Sequence, residues 1–394
     1  MTKVAIEPKP FPFFDYSQYS FSLGLDTPEG MWLSGHTASR FDPARQRMVV
    51  DGDIVEQSRT AYQKICAILE AVGLGFKDVV RTVDYVTVKG IEDYPRTAEL
   101  RREIFGDSPP ATSTMVVNSL LRPEALIEIE VVASRRGHTT VDPGWPSGSF
   151  PKSVAQKVGN VLYISALLPV KPGTNEVVGS DIVQQARQIY ELAEEVLRAA
   201  GLGWENVVNT VEFLTPEGLP SYRETAAVRK EYFRGHYPAA TGIIMQRLAH
   251  PEAQLQVDFM AIAGKREVIN PGWSRYDRLT YVPGVKTGNL LFLSGQGSLN
   301  PETQAIEHAG DVVAQSRYIY SNFIKVLEAA GAGPDAVIKT VEFVTPQGLE
   351  QYRRTAEVRK ELFKPPYPAA TGIVCDRLLR PEMLLEVNAI AVLS

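Results

Sequence analysis

The chain has 394 residues, of which 44% are hydrophobic and 22% are charged, and this average composition excludes a disordered or fibrous protein. With 41 basic and 46 acidic residues, a net charge of −5 and no basic stripe, the sequence favours neither nucleic acid nor a membrane surface as a partner. It has no apolar run long enough to span a membrane and no secretory leader pattern, so we expect a cytoplasmic protein.

One segment occurs three times along the chain, at residues 82–120, 210–248 and 340–378. The second and third copies are identical at about two-thirds of their positions without a gap, and the first copy is more divergent. The repeat length of about 130 residues is too long for a solenoid unit and long enough for a domain with its own core. We therefore predict three domains, residues 1–137, 138–268 and 269–394.

Within each copy the hydrophobic patterns predict the order β-β-α-β-α-β-β. An aspartate stands at or near the start of the first helix in every copy (Asp53, Asp181 and Asp311), where a carboxylate can accept from free N–H groups. A sheet with both helices on one face forms an α+β layer whose other face needs a partner, and three copies can partner one another around a pseudo-threefold axis. In the third copy the predicted elements are strands at 279–286 and 290–295, a helix from about 311, a strand at 337–345, a helix at about 347–363, and strands at 371–376 and 384–392.

The reactive side chains give little sign of a metal or a cofactor. Two cysteines are too few for a disulfide framework, and five histidines without metal-like spacing predict no metal site. Cys66 lies on the apolar face of the first helix, which predicts an inert core residue, and Cys375 lies in a predicted strand. No phosphate-binding glycine loop is present, so we expect no nucleotide or other cofactor. The Arg-Lys-Glu runs at 229–231 and 359–361 are typical of solvated helix faces.

Short motifs mark each copy in the same order. In the third copy they are Tyr281-Val282, Gly288-Asn289, Ser294-Gly295-Gln296, Ala329-Ala330-Gly331, Val341, Phe343, Tyr367-Pro368-Ala369 and Leu385-Glu386-Val387. With these motifs each copy resembles the RidA (YjgF) family of small enamine/imine deaminases, and the resemblance covers nearly the whole chain three times. It implies chorismate-mutase-like α+β domains arranged as a covalent pseudo-trimer, because family members are homotrimers with a ligand cleft at each subunit interface. Three unequal interdomain clefts follow from it.

The family's hallmark arginine, which follows Pro-Ala and binds the substrate carboxylate, is absent from all three copies. Its positions hold Thr112, Ala240 and Ala370. A guanidinium donates two parallel hydrogen bonds to a carboxylate, so its loss implies a substrate that is less anionic than usual. Thr112 and Thr114 can still donate hydrogen bonds there, but they carry no charge.

Other positions of the family's site are present unevenly. The resemblance implies substrate contacts at Tyr281, at Ser294-Gly295 and at Ser34-Gly35. It also implies that Glu128 and Glu386 hold a water or act as a general base, and a semi-buried cleft could raise the pKa of either. The alternative for both glutamates is an outward-facing polar position on a half-buried strand.

Three further residues are candidates with structural alternatives. His36 follows Ser34-Gly35 and is a candidate proton shuttle, with a structural hydrogen bond as the alternative. Arg247 and Arg377 stand seven residues past the lost arginine and are candidates to replace the anion anchor. The alternative for each arginine is a salt bridge at a strand end.

From the resemblance we expect a metal-free hydrolase that adds water to a small enamine or imine in an interdomain cleft. Backbone N–H groups near Ser34-Gly35 or Ser294-Gly295 would stabilise developing negative charge. Three alternatives stay open: a non-catalytic small-molecule binding protein, an interdomain scaffold, and an enzyme of other chemistry such as chorismatase-like cleavage on the same fold. We expect a small molecule as the partner, and a single chain or a dimer of it in solution.

Overall fold

The computed structural model describes residues 3–146 and 153–393, and each repeat forms a mixed sheet with its helices on one face. Counted along the chain, the six strands of a domain lie side by side in the order first, second, third, sixth, fourth, fifth. The fourth and fifth strands are parallel neighbours, and the other pairs are antiparallel. The predicted α+β class and the three tandem domains are confirmed.

The three domains have closely matching elements. Domain 1 has strands Val4–Ala5, Gly24–Thr27, Gly30–Leu33, Val79–Thr87, Ala111–Val117 and Ile127–Ala133, a hairpin Arg40–Asp42/Arg47–Val49, and helices Ile54–Glu70 and Ala98–Phe105. Domain 2 has strands His138–Val141, Ala155–Val158, Val161–Leu167, Val207–Leu214, Ala239–Ile244 and Leu255–Ile262, and helices Ile182–Ala199 and Ala226–Phe233. Domain 3 has strands Arg266–Ile269, Gly284–Thr287, Leu290–Gln296, Val337–Val344, Ala369–Val374 and Leu385–Val392, helices Val312–Ala329, Pro346–Tyr352 and Thr355–Leu362, and the short strand Ser119–Leu120 from domain 1 at its sheet edge.

Each domain begins with a strand that the sequence pattern does not predict. In domain 3 this strand is Arg266–Ile269, which pairs with Gly284–Thr287 and spans the boundary placed at residue 268. Its two central residues are exposed, so it has too few buried apolar positions to show an alternating pattern.

The helix predicted at about 347–363 is also divided, because the Thr355 hydroxyl donates to the carbonyl of Tyr352 and ends the first piece there.

The first helix of each domain begins at the predicted aspartate. Asp53 accepts hydrogen bonds from the backbone N–H groups of Val55 and Glu56, and the corresponding aspartates of the other domains cap their helices in the same way. Each helix is followed by a glycine in the left-handed region, where a side chain would be strained. These glycines are Gly73 (φ +73°), Gly201 (φ +69°) and Gly331 (φ +77°).

Apolar residues form cores at two levels. Each domain has its own core between the sheet and its helices. The opposite faces of the three sheets contact one another in two further clusters, one of which includes Trp32, Met260 and Phe292 from three different domains. In the other cluster the rings of Phe213 and Phe343 meet edge to face at 6.1 Å. The face that each sheet leaves free of helices is therefore buried by the other two domains.

A layer of charged residues lies between these two apolar clusters. Arg81 of domain 1 forms an ion pair of 2.7 Å with Asp258 of domain 2, and Lys339 of domain 3 forms one of 2.9 Å with Glu130 of domain 1. Three of these side chains are buried and Arg81 is only 14% exposed, so each charge depends on its partner in the neighbouring domain.

The domains are joined by matching hydrogen bonds that close a ring from domain 1 to 2, 2 to 3, and 3 to 1. In each case a serine hydroxyl accepts from a backbone N–H of the preceding domain, at the position of the absent family arginine. The pairs are Ser165 with Thr112 (2.9 Å), Ser294 with Ala240 (2.8 Å) and Ser34 with Ala370 (2.8 Å). Among the described residues, none of the helices combines the length and hydropathy needed to cross a bilayer.

Candidate functional site

Three clefts lie where the fifth strand of one domain meets the third and sixth strands of the next. We name them by the domains that form them, as the 1–2, 2–3 and 3–1 clefts. One position on the sixth strand belongs to each cleft, and its residue is an amide in one cleft and a carboxylic acid in the other two. It is Gln256 in the 1–2 cleft, Glu386 in the 2–3 cleft and Glu128 in the 3–1 cleft.

The 2–3 cleft contains a cavity of about 770 Å³. Domain 3 contributes Glu386, Gly295 and the tyrosines Tyr276 and Tyr281 to its lining, and domain 2 contributes its fifth strand and second helix. The volume is in the range of small-molecule sites, and the mixture of aromatic and polar walls is typical of them.

Glu386 is the central carboxyl group of this cavity. It is buried, it accepts a hydrogen bond from the backbone N–H of Gly242, and no cation stands among the groups that shift its pKa. Burial raises the pKa of Glu386 to about 8, so the carboxyl is largely protonated at neutral pH. It lies against Gly295, where an added Cβ would be 2.5 Å from its Oε1 atom. Only glycine therefore leaves room for the carboxyl in this position.

A hydrogen-bonded trio forms the domain 2 wall of the cleft, and sequence reasoning missed it. Glu212 accepts from the Tyr222 hydroxyl at 2.7 Å and from the Arg229 guanidinium at 2.9 Å, and Arg229 also donates to Thr280 across the cleft at 2.8 Å. The predicted solvated position of Arg229 is wrong, because its side chain is only 12% exposed. The same correction applies to Arg359.

A sequence signal for this trio exists in the repeat itself. An acidic residue, a tyrosine 10 positions later and an arginine 17 positions later recur in all three copies. In domain 3 the trio is Glu342, Tyr352 and Arg359, whose guanidinium donates to Ser20 of domain 1. In domain 1 it is Asp84, Tyr94 and Arg101. The acidic residue lies on a strand and the arginine on the following helix, so the periodicity of one strand or one helix does not reveal the trio.

The 3–1 cleft holds Glu128 in the position that corresponds to Glu386. Burial raises the pKa of Glu128 to about 8, although the nearby ammonium groups of Lys64 and Lys339 oppose this. Lys64 is itself buried in domain 1 and donates to the carbonyls of Thr37 and Ser39, and burial lowers its pKa to about 7. Sequence reasoning missed Lys64, because a lysine on a helix predicts an exposed side chain.

His36 is also buried in this part of domain 1. Burial is the largest cause that lowers the pKa of His36 to about 3, so the ring is neutral at physiological pH. Its backbone pairs with Ile129 next to Glu128. A ring that accepts protons only near pH 3 is a weak general base at neutral pH, which favours the structural alternative for His36.

The predicted serine–glycine pairs hold the domains together. Ser34 and Ser294 each accept an N–H from the neighbouring domain and donate to a carbonyl of their own domain. The N–H of Gly35 is bonded to Ala370 and Thr371, and that of Gly295 donates to Thr241 at 3.1 Å. The expectation that these N–H groups stabilise negative charge is therefore not met, since they already have acceptors. Tyr281 lines the 2–3 cavity.

The 1–2 cleft departs most from the other two. Ala166 stands where the other clefts have glycine, and Gln256 stands where they have glutamate. The Gln256 side chain donates to the carbonyl of Thr114 at 2.9 Å instead of lying against the third strand. The Thr112 hydroxyl accepts from Arg101 at 2.7 Å and the Thr114 hydroxyl donates to Tyr94 at 3.3 Å, so both hydroxyl groups bond within domain 1.

The remaining candidates lie outside the 2–3 cavity. Arg247 pairs with Glu92 of domain 1 at 2.7 Å, and Arg377 is exposed and pairs with its neighbour Asp376. Both arginines thus form the salt bridges that were the alternative to an anion anchor. The predicted core position of Cys66 is wrong, since it is half-buried and its thiol donates to Glu70. Cys375 is buried, and burial raises the pKa of its thiol. Among the described residues, no group of three or more potential metal ligands occurs.

The raised pKa values of Glu128 and Glu386 predict how stability depends on pH. Folding raises each pKa from 4.5 to about 8, so the stability that each carboxyl contributes is present below pH 4.5 and is lost as the pH rises toward 8. We expect the double variant E128Q/E386Q to gain free energy of unfolding over the parent at pH 8, by about 1.4 kcal/mol for each unit of pKa shift. Urea unfolding at pH 5 and pH 8 measures this. Parallel pH dependences for parent and variant would contradict it.

Comparison with known proteins identifies the chain. The family model described as Endoribonuclease L-PSP matches residues 15–135, 146–263 and 276–393, which is nearly the whole chain in three consecutive matches. A RutC family protein of Sulfurisphaera tokodaii is 37% identical over 103 residues, covering 26% of this chain and 81% of that protein. The chain belongs to the RidA (YjgF) family. The stretch of this chain that matches the Sulfurisphaera protein is about the length of one RidA domain.

Two further relatives extend the comparison. The human 2-iminobutanoate/2-iminopropanoate deaminase is 28% identical over 120 residues, covering 30% of this chain and 85% of that protein. The crystal structure of a chorismatase is similar over 80% of this chain and 93% of its own, with a TM-score of 0.54 and 16% identity. At that identity the likeness concerns the fold alone.

Proposed function

We propose that this RidA-family chain hydrolyses a small imine or enamine in the 2–3 cleft, with Glu386 as its acid–base group. The observation that supports this most is the position of Glu386, a buried carboxyl that is protonated at neutral pH and lines an accessible cavity. A general acid is most effective when its pKa lies near the working pH. The name of the human deaminase relative supports the same reaction class.

The reaction needs a group that gives and takes one proton repeatedly. In the proposed sequence, the Glu386 carboxyl gives its proton to the carbon of the enamine, which becomes an iminium ion. The carboxylate then takes a proton from water as the water oxygen bonds to the iminium carbon and forms a carbinolamine. Glu386 passes this proton to the amino group and takes the hydroxyl proton as the C–N bond breaks. Ammonia and a ketone leave, and Glu386 ends protonated as it began.

The surrounding residues keep this carboxyl in place. Gly242 donates to it from domain 2, and Gly295 of domain 3 leaves the space that it occupies. Tyr276 lies close enough for the Glu386 charge to affect its pKa, and its hydroxyl accepts from Gln296 at 3.3 Å. The Glu212–Tyr222–Arg229 trio keeps the opposite wall rigid. A fixed carboxyl costs less reorganisation during the reaction than a mobile one.

The purified chain tests this proposal directly. We expect it to accelerate release of ammonia from 2-aminoacrylate generated in situ, and we expect the rate to fall above about pH 8 as Glu386 loses its proton. Ammonia release at the uncatalysed rate over the range from pH 6 to 8 contradicts a hydrolase.

A non-catalytic binding protein is the second candidate. The observation that favours it is the absence of the family arginine from all three clefts, where Thr112, Ala240 and Ala370 stand instead. A ligand that raises the melting temperature without being converted would support it. The chorismatase likeness concerns the fold alone and adds no support for a cleavage reaction of that kind.

A further inference from the structure

The cavity of the 2–3 cleft is lined by far more positive than negative charge. Six cationic side chains and two carboxyl groups face it. One carboxyl, Glu212, is already paired with Arg229, and the other, Glu386, is largely protonated at neutral pH. The cavity therefore has an excess of positive charge in a chain whose net charge is −5.

Four of the cations are arginines that form no ion pair with any residue in the described parts of the chain. Arg275 is the most constrained of them, because its guanidinium stacks on the Tyr276 ring at 5.2 Å from the centroid. Its Nε atom is buried and has no hydrogen-bond partner within the described residues. A buried donor without an acceptor is unusual, and Arg275 also lines the cavity without a carboxylate partner. The four are Arg223, Arg275, Arg278 and Arg380.

Two of these charges, Arg275 and Arg278, are particular to this cleft, whereas Arg223 and Arg380 correspond to Arg353 and Arg122 of the 3–1 cleft. Thr280 and Ser20 occupy corresponding positions, because each accepts from the arginine of the preceding domain's trio. Counted from these residues, the position of Arg275 holds Asp15 in domain 1, and that of Arg278 holds Gln18. The 3–1 cleft thus lacks these two cations, although its backbone and its trio are the same.

We infer that the 2–3 cleft takes a planar ligand with at least two carboxylate groups, which the arginines at its mouth bind. Guanidinium forks match carboxylates in shape and charge, and Tyr281 and Tyr222 offer aromatic walls to a flat body. A cavity of about 770 Å³ exceeds the needs of a three- or four-carbon imino acid. The inference rests on the proposed function in one respect only, which is that the reacting carbon of the ligand lies next to Glu386. It replaces the expectation of a less anionic substrate, because cations from the short helix Ser274–Arg278 and from Arg380 stand in for the absent arginine.

Calorimetry with three matched probes tests this inference. We expect isophthalate, a planar dicarboxylate, to bind at least about tenfold more tightly than benzoate, and the uncharged isophthalamide to bind least. The double variant R275Q/R380Q is expected to weaken isophthalate binding by about 10- to 100-fold. The control is R122Q/R353Q, which removes two arginines that do not line this cavity. Arg122 corresponds to Arg380 and Arg353 corresponds to Arg223. We expect the control to bind isophthalate as the parent does.

Equal affinity for the three probes, or equal loss in both double variants, overturns the inference. Binding of a short single-stranded RNA at this cavity in place of isophthalate overturns it as well. The variant E386Q separates this inference from the proposed function. If E386Q and the parent bind isophthalate equally while neither releases ammonia from 2-aminoacrylate, the ligand class stands and the hydrolase is wrong. If the parent hydrolyses 2-aminoacrylate but does not bind isophthalate, the hydrolase stands and the ligand class is wrong.

Discussion

Replacing Glu386 with glutamine is expected to lower kcat for 2-aminoacrylate hydrolysis by about 10²- to 10⁴-fold, with a much smaller change in KM. Glutamine has nearly the same shape and can still accept from the Gly242 N–H, but its amide cannot give and take the proton that the reaction needs. Domain 2 has an amide in the corresponding position, Gln256, so the fold accommodates this side chain. Steady-state measurement of ammonia release gives both constants.

Two matched variants show which cleft performs the reaction. Gln256→Met changes the corresponding position of the 1–2 cleft and is expected to leave kcat at the parent's value. Glu128→Gln changes the 3–1 cleft, where the carboxyl also has a raised pKa but lies near Lys64 and Lys339. A loss in Glu128→Gln as large as that in Glu386→Gln would place a second reaction site in the 3–1 cleft. Full activity in Glu386→Gln would show that this carboxyl has no catalytic role.

Replacing Lys339 with asparagine is expected to destabilise the chain by about 3–5 kcal/mol. The Lys339 side chain is only 4% exposed, and its ammonium lies 2.9 Å from the carboxylate of Glu130 and also donates to Leu33 and Thr371. Removing it leaves the charge of Glu130 buried without its partner between domains 1 and 3. Denaturant unfolding monitored by far-UV circular dichroism measures the loss.

The third interface supplies the control for this prediction. At the contact of domains 2 and 3, Asn209 stands at the position that corresponds to Lys339. Asn388 stands there at the position that corresponds to Glu130. The double variant K339N/E130N copies that neutral pair, and we expect it to recover most of the lost stability. A double variant that is less stable than either single variant would show that the ion pair itself, and not the isolated charge, determines stability here.

The local features of the fold could be predicted because neighbouring residues determine them. Asp53 at the start of a helix and Gly73 at its end act through backbone groups within one turn, so their sequence positions are sufficient. The edge strand Arg266–Ile269 could not be predicted from its own residues. It is a strand because it pairs with Gly284–Thr287. The three-domain division was visible because the repeat itself is long and strong.

The candidate site was only partly visible in the sequence. Glu386 was predicted from the family motif, and the structure adds that it is buried against Gly295. Arg229 looked like one residue of a charged helix face, and only the approach of Glu212 and Thr280 from two other elements makes it a buried cleft residue. Arg275 was not singled out, because its stacking on Tyr276 and its place in the cavity depend on how domain 3 meets domain 2.

The sequence by itself therefore determined the number of domains, their α+β elements, the family, and the loss of the arginine at Thr112, Ala240 and Ala370. The tertiary structure alone decided which side chains line the 2–3 cavity and which of their charges are paired. The physical reason is that each cleft combines side chains from two domains that are far apart in the chain. Burial, which raises the pKa of Glu386, and the positive charge around it arise only when those domains pack together.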